Sequence, residues 1–220
     1  MLLALLREDP LAFLLISAAL IMALVLHEVA HGVAALLFGD DTAKRMGRLT
    51  LNPLKHLDPL GTLLLLLVGF GWARPVPINP ARFRNYRLGL FVVSIAGIVV
   101  NLGLATLAAL ILRALYLADP EALLMALTGR GPLDLMGTLA LALFYFASLN
   151  LVLAVFNLLP IPPLDGSKIL QSLLPLRWHR MLWQLEQYSW LSFVLIFTVL
   201  RDPIQAVIRW SQAAFFDLFF

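Results

Sequence analysis

Residues 10–39 read PLAFLLISAALIMALVLHEVAHGVAALLFG, an apolar run with no Asp, Glu, Lys or Arg from 10 to 26 that then holds His27, Glu28 and His31. A helix needs about 20 apolar residues to cross the hydrocarbon core of a bilayer. The run reaches that length by continuing through HEVAHGVAALLFG to Gly39. Stretches 88–112 and 135–164 also lack all four charged types and are long enough to span. With 61% hydrophobic and 13% charged residues, the 220-residue chain lacks the polar surface that a soluble domain needs to cover its core. The expected fold class is therefore an all-α polytopic membrane protein, a bundle of about four to six transmembrane helices.

The first run is expected to be retained. A cleavable signal has a basic start and a short apolar segment, whereas this one starts with Arg7-Glu8-Asp9 and is longer. The chain has no cysteine, which excludes disulfides, thiolate metal ligands and cysteine nucleophiles. A net charge of +3 does not argue for a nucleic-acid partner, and none is expected. In a membrane protein, basic residues chiefly report topology.

Segment 73–87 carries Arg74, Arg82, Arg84 and Arg87 without an acid, and 39–58 carries Lys44, Arg45, Arg48 and Lys55. By the positive-inside rule both lie on the cytoplasmic side. The 117–134 loop, with Asp119, Glu121 and Asp134 against Arg130, then lies outside, and 160–187 lies inside. Segment 59–72 (PLGTLLLLLVGFGW) must enter and leave on one side, so a re-entrant segment is expected. WARPVPINP at 72–80 carries three prolines and reads as extended, a small membrane-associated β element. Apolar runs at 187–200 and 203–220 are read as one kinked span plus an interfacial helix, or as two short elements. The expected organisation is one membrane-embedded domain over 1–220, with its core at about 10–175 and C-terminal membrane segments at about 187–220.

His27-Glu28-Val29-Ala30-His31 is an HExxH motif. Positions i and i+4 share a helix face, so both imidazoles can reach one metal ion, and Glu28 beside them can act as base on an activated water. Imidazole and carboxylate ligands with an open position suit zinc, one ion. Ionisable residues inside an apolar span are costly and functional by default. A third ligand is expected, and Asp165 is the best candidate. It follows Asn157-Leu-Leu-Pro160-Ile-Pro162-Pro163-Leu164, where the prolines break the helix, and precedes Gly166. Its alternative role is the N-cap of a helix over 166–173. His27 lies about 24 Å along the helix from residue 11, near the cytoplasmic end of the span.

HEVAH in a first membrane helix with NLLPIPPLDG at 157–166 resembles the site-2 protease family of intramembrane zinc metalloproteases. GRLTLNPLKHLDPLGTLLLL at 47–66, GWARPVPINPARFRN at 71–85 and SIAGIVVN at 94–101 agree with it. The resemblance covers roughly residues 18–175. It implies His27, His31 and Asp165 as zinc ligands and Glu28 as general base. It further implies that Asn157 helps hold the substrate or the developing oxyanion. It implies hydrolysis of peptide bonds in transmembrane protein substrates, in a multi-pass protein of the cell membrane whose site lies near the cytoplasmic side. The PDZ domain that many relatives insert has no room in the 117–134 loop, and Ile98 stands where a Pro is expected. The chain thus resembles a minimal membrane core.

Trp72, Arg74, Val76 and Ile78 are candidates for a strand edge that pairs with an extended substrate, against an ordinary hairpin. His56 is expected in a surface or packing role, and His179 at the interface beside Trp178. Asn101 and Asn150 are expected to pack or hydrogen-bond between helices. Two other functions remain open: a membrane zinc transporter or sensor with the same ligands, and a relative that binds membrane proteins without cutting them.

Overall fold

A computed structural model describes residues 2–68, 71–129 and 134–220. Gly69 and Arg130, both used in the topology reading above, lie outside the described residues. A short helix α1 (Leu2–Glu8) leads into α2 (Pro10–Leu37), which is followed by α3 (Thr42–Arg45) and α4 (Pro59–Val68). Then come α5 (Tyr86–Ala118), α6 (Pro120–Leu127) and α7 (Leu135–Leu158). The chain closes with α8 (Asp165–Leu173), α9 (Leu176–Gln187), α10 (Ser189–Thr198) and α11 (Arg201–Phe216). Among the described residues, α2, α5 and α7 are long and apolar enough to cross a membrane. A fourth span, the low end of the expected range, is reached if α10 and α11, bent by 75°, count as one.

Each of the three spans begins at a polar residue whose side chain takes an otherwise orphaned helix amide. Asp9 accepts from the Ala12 amide at 2.9 Å, with Pro10 in the first turn of α2. Asn85 accepts from Leu88 at 3.1 Å to start α5, and Asp134 accepts from Gly137 at 2.8 Å to start α7. Asp119 does the same for α6, accepting from Ala122 at 2.9 Å. The 117–134 loop therefore contains a helix that its composition did not announce.

The three spans pack against one another, and small residues let them do so. Ala23 and Ala35 of α2, Ala105 and Ala109 of α5 and Ala147 of α7 are completely buried. Large apolar side chains such as Leu14, Leu37, Leu107 and Leu135 face outward. In lipid there is no hydrophobic drive to bury a leucine, so close backbone approach and polar contacts hold the bundle together. α8 lies against α5 and α7, which brings the start of α8 toward the middle of the bundle.

The two described arms of segment 59–72 meet, as a re-entrant segment requires. At about 1.5 Å per residue, the ten residues of α4 cover about half of a roughly 30 Å core. On the return, a Cβ on Gly61 would stand 2.3 Å from the Trp72 carbonyl oxygen, so only glycine permits this approach. The two arms close in an isolated antiparallel bridge between Leu57 and Ala73, with the Arg74 amide donating to the His56 carbonyl at 2.7 Å. Beyond that bridge, Trp72–Asn79 lies outside every helix and forms no strand ladder among the described residues. Pro75 and Pro77 supply no amide to continue one.

Candidate metal centre

α2 carries His27 and His31 one turn apart on its buried face, and their rings meet edge to face at 83° with centroids 4.6 Å apart. Asp165 is the first residue of α8, after the proline-rich break that follows α7. Its carboxylate does not cap α8; Leu164 occupies the cap position and makes no side-chain cap bond. Instead, Asp165 Oδ2 lies 3.1 Å from His27 Nε2 and 3.1 Å from His31 Nε2, and the two Nε2 atoms are 3.0 Å apart. Among the described residues, this is the group that could hold a metal ion.

The outer nitrogens of the rings decide what faces the centre. His31 Nδ1 lies 2.6 Å from the Val93 carbonyl oxygen and His27 Nδ1 lies 2.6 Å from Asn101 Oδ1. A carbonyl oxygen only accepts, so each Nδ1 carries a hydrogen, which leaves Nε2 of each ring as the nitrogen that can serve as a ligand on the inner side. Asp165 Oδ2 is buried and receives no hydrogen bond. Three atoms able to act as metal ligands thus face one another. A tetrahedral zinc with bonds of about 2.0 Å has ligand edges of about 3.3 Å, close to the triangle found here. The residues fit the ion.

The fit extends to the wall behind the ligands. A Cβ added to Gly97 of α5 would stand 2.5 Å from His27 Cε1 and 2.6 Å from its Nδ1, so the ring rests in the space that glycine leaves.

Around this triangle lies a cavity of about 490 Å³ that Glu28 and Asn157 also line. Glu28 is outside the three-ligand group; its Oε2 accepts the Val76 backbone amide at 2.7 Å. Asn157 turns its Nδ2 to the Leu153 carbonyl of its own helix at 3.0 Å. Of the four candidate edge residues, Val76 and Ile78 line the cavity, whereas Trp72 and Arg74 are not part of its lining. Arg74 is engaged elsewhere: its carbonyl accepts from Arg48 Nη2 at 2.7 Å. Asn79, at the end of the segment, donates its amide to Asp40 Oδ2 at 2.6 Å. Lys168 and Gln171 of α8 and Glu186 of α9 give the cavity a polar side.

His56 is buried, at 1% exposure, rather than superficial, with Nε2 2.8 Å from the Thr50 carbonyl, so the packing half of its expected role holds. His179 packs on Tyr86 with centroids 6.0 Å apart. Sequence reasoning missed the direct contact of Asn101 with a histidine of the centre. The available signal was an amide inside an apolar span four residues from Gly97, hence on the same helical face.

The model of peptidase family M50 matches residues 15–200. "Putative zinc metalloprotease YwhC" of Bacillus subtilis is 44% identical over 193 residues, covering 88% of this chain and 83% of that protein. "Putative zinc metalloprotease Rip2" of Mycolicibacterium smegmatis is 32% identical over 211 residues, covering 94% of this chain and 71% of that protein. The Rip2 of Mycobacterium tuberculosis strain H37Rv is 32% identical over 192 residues, 84% of this chain and 67% of that protein. No solved structure matches the chain. Three apolar helices, a buried set of two histidines and an aspartate suited to zinc, and a family match over most of the sequence lead to one assignment. The chain belongs to peptidase family M50 and is a membrane zinc metalloprotease of the site-2 type.

Proposed function

We propose that His27, His31 and Asp165 hold a single zinc ion and that Glu28 is the general base for hydrolysis of peptide bonds in transmembrane protein substrates. The observation that carries this reading is the triangle of Nε2, Nε2 and Oδ2 atoms, 3.0–3.1 Å on each side, in which the buried Oδ2 receives no hydrogen bond. Zinc, when bound, supplies Lewis-acid activation of water and of the scissile carbonyl. Glu28 takes a proton from the attacking water on its carboxylate and returns it to the leaving amine nitrogen. The Val76 amide holds Glu28 Oε2, leaving Oε1 for that proton. The side-chain amide of Asn157, on the cavity wall, binds the substrate carbonyl oxygen as it gains charge.

A membrane-spanning helix hides its peptide bonds, so the substrate enters locally unwound. Segment 72–79, which brings Val76 and Ile78 to the cavity, is the proposed edge for it. Water reaches the centre along the side lined by Lys168, Gln171 and Glu186. The Lys- and Arg-bearing segments 39–58 and 73–87 support a mouth on the cytoplasmic face of a multi-pass cell-membrane protein, with residues 1–220 proposed as one catalytic domain.

The test is cleavage of a single-span substrate by the detergent-purified chain, with zinc content measured alongside. Wild type is expected to cleave and to hold one zinc ion. Glu28→Gln is expected to keep the zinc and lose cleavage, and His27→Ala to lose both. A transporter or sensor with the same ligands needs no general base. Zinc movement that survives Glu28→Gln, with no cleavage by wild type, would establish that rival.

A further inference from the structure

A hydrogen-bonded line runs across all three spanning helices and ends on a ligand of the proposed centre. Its fixed end is the Phe146 backbone carbonyl in α7, which accepts from Asn150 Nδ2 at 2.8 Å. That contact orients the Asn150 amide, because its nitrogen faces the carbonyl and its Oδ1 must point away. Asn150 Oδ1 then accepts from Asn101 Nδ2 of α5 at 2.7 Å. With its nitrogen so committed, and also 3.4 Å from the Ala23 carbonyl of α2, Asn101 presents Oδ1 to His27 Nδ1 at 2.6 Å. Both asparagines are completely buried.

We infer that Asn101 is a positioning residue for His27, and that Asn150 sets its orientation. The amide of Asn101 admits two placements that differ by exchange of oxygen and nitrogen. One gives His27 an acceptor, puts the ring hydrogen on Nδ1 and turns the Nε2 lone pair toward Asp165. The other offers His27 a donor, which would draw the hydrogen to Nε2 and spoil it as a ligand. Asn150 selects the first placement, because only the nitrogen of Asn101 satisfies Asn150 Oδ1. His31 needs no such device, since the Val93 carbonyl in its place is a backbone group that cannot be turned over. The two histidines are therefore held by unlike means, one by a main-chain acceptor and the other by an amide that a neighbouring helix must orient. Gly97, one turn from Asn101 on the same face of α5, leaves the ring the room to stand there.

This inference rests on the proposed zinc site, and its test has an arm that does not need the metal. Zinc affinity is measured by chelator competition on the full chain in detergent for wild type, Asn101→Leu, Asn101→Asp and Asn150→Leu. Loss of an outer partner to a metal-binding histidine weakens binding by about 10–100-fold, and that is expected for Asn101→Leu. Asn101→Asp keeps an acceptor for His27 Nδ1 and should bind more tightly than Asn101→Leu. A residue that only packs between helices gives the reverse order, because leucine fills the space and a buried carboxylate does not belong there. Asn150→Leu should weaken binding several-fold less than Asn101→Leu, since Asn101 keeps its long contact to Ala23. The second arm is nitrogen NMR of histidine-labelled, zinc-free protein, with the His27 signal assigned by His27→Gln. Wild type should show the hydrogen on Nδ1, and Asn101→Leu and Asn150→Leu should shift it toward Nε2. Wild-type zinc affinity in Asn101→Leu, or an unmoved tautomer in both variants, overturns the inference. If Asn101→Leu does not fold, an unmoved tautomer and unchanged affinity in Asn150→Leu overturn it alone. A wild type that binds no zinc but shows the Nδ1 tautomer, displaced in these variants, would refute the metal reading and leave the line of hydrogen bonds standing.

Discussion

The backbone amide of Val76 donates to Glu28 Oε2 across 2.7 Å, joining the proline-rich segment to the acidic residue of the HExxH helix. The two residues are 48 positions apart in sequence, and the contact places Val76 against the same cavity as His27 and His31. A hydrogen bond to a charged group contributes about 1.5–3 kcal/mol. Val76→Pro removes the donor, and the expected outcome is cleavage reduced by about ten-fold or more with zinc content unchanged. Steady-state kinetics on a single-span substrate and metal analysis on the same preparation read both quantities. Undiminished cleavage would show that this amide does not orient the base.

Gly97→Ala is expected to weaken zinc binding by at least about ten-fold, because the new Cβ would stand 2.5–2.7 Å from atoms of the His27 ring. By helix propensity alone the exchange is worth about 1 kcal/mol in favour of alanine. Metal loss without loss of helical structure therefore separates a displaced ligand from general damage. Gly103→Ala, where a Cβ meets nothing within 4 Å, is the matched control and should bind zinc as wild type does. Chelator competition and circular dichroism on the two variants decide it.

Asp40 joins the end of α2 to the proline-rich segment, accepting from the Asn79 amide and from both the hydroxyl and the amide of Thr42. Burial opposes its charge, but these hydrogen bonds, together with Arg82, outweigh it and hold its pKa below the ordinary carboxylate value. A pKa lowered on folding stabilises the folded chain above the unfolded value and loses that contribution as pH falls through the folded one. Asp40→Asn should therefore melt at a lower temperature than wild type near neutral pH. The gap should narrow as the pH is taken below about 4. Thermal scans of both proteins at a series of pH values test the sign. A gap that widens on acidification would contradict it.

Asn157→Ala is expected to retain zinc and to lower kcat more than it changes KM, since its proposed contact forms as the carbonyl gains charge. Removal of one such donor costs about 100-fold or more in kcat. An equal loss in zinc content would instead place Asn157 among the residues that build the centre.

Much of this was legible in the chain because the signals are local. The uncharged runs at 10–26, 88–112 and 135–164 correspond to α2, α5 and α7, and HEVAH sets two imidazoles on one face of a helix wherever it occurs. Asp165 was legible because prolines 160, 162 and 163 end a long apolar helix just before a carboxylate. What the sequence concealed depends on packing between distant segments. Asn101 reads as an amide that packs or hydrogen-bonds between helices, and its contact with His27 emerges only when α2 is laid beside α5. Val93 could not be recognised at all, since it contributes only its backbone oxygen. The β character expected at Trp72–Asn79 is reduced to the bridge at Ala73, since Arg74 and Val76 commit their amides to His56 and Glu28.

Alanines are prominent in the interior of the three-span bundle, and many of the leucines look outward. Random mutagenesis should accordingly find its most damaging targets among the smallest side chains, with Ala23, Ala105 and Ala147 intolerant of any enlargement. Positions such as Leu14 and Leu107 should accept almost any residue that lipid accepts. A surface redesign for work in water would begin at those outward leucines and leave the buried alanines alone. The residues that appear most ordinary in the sequence are the ones an engineer must not touch.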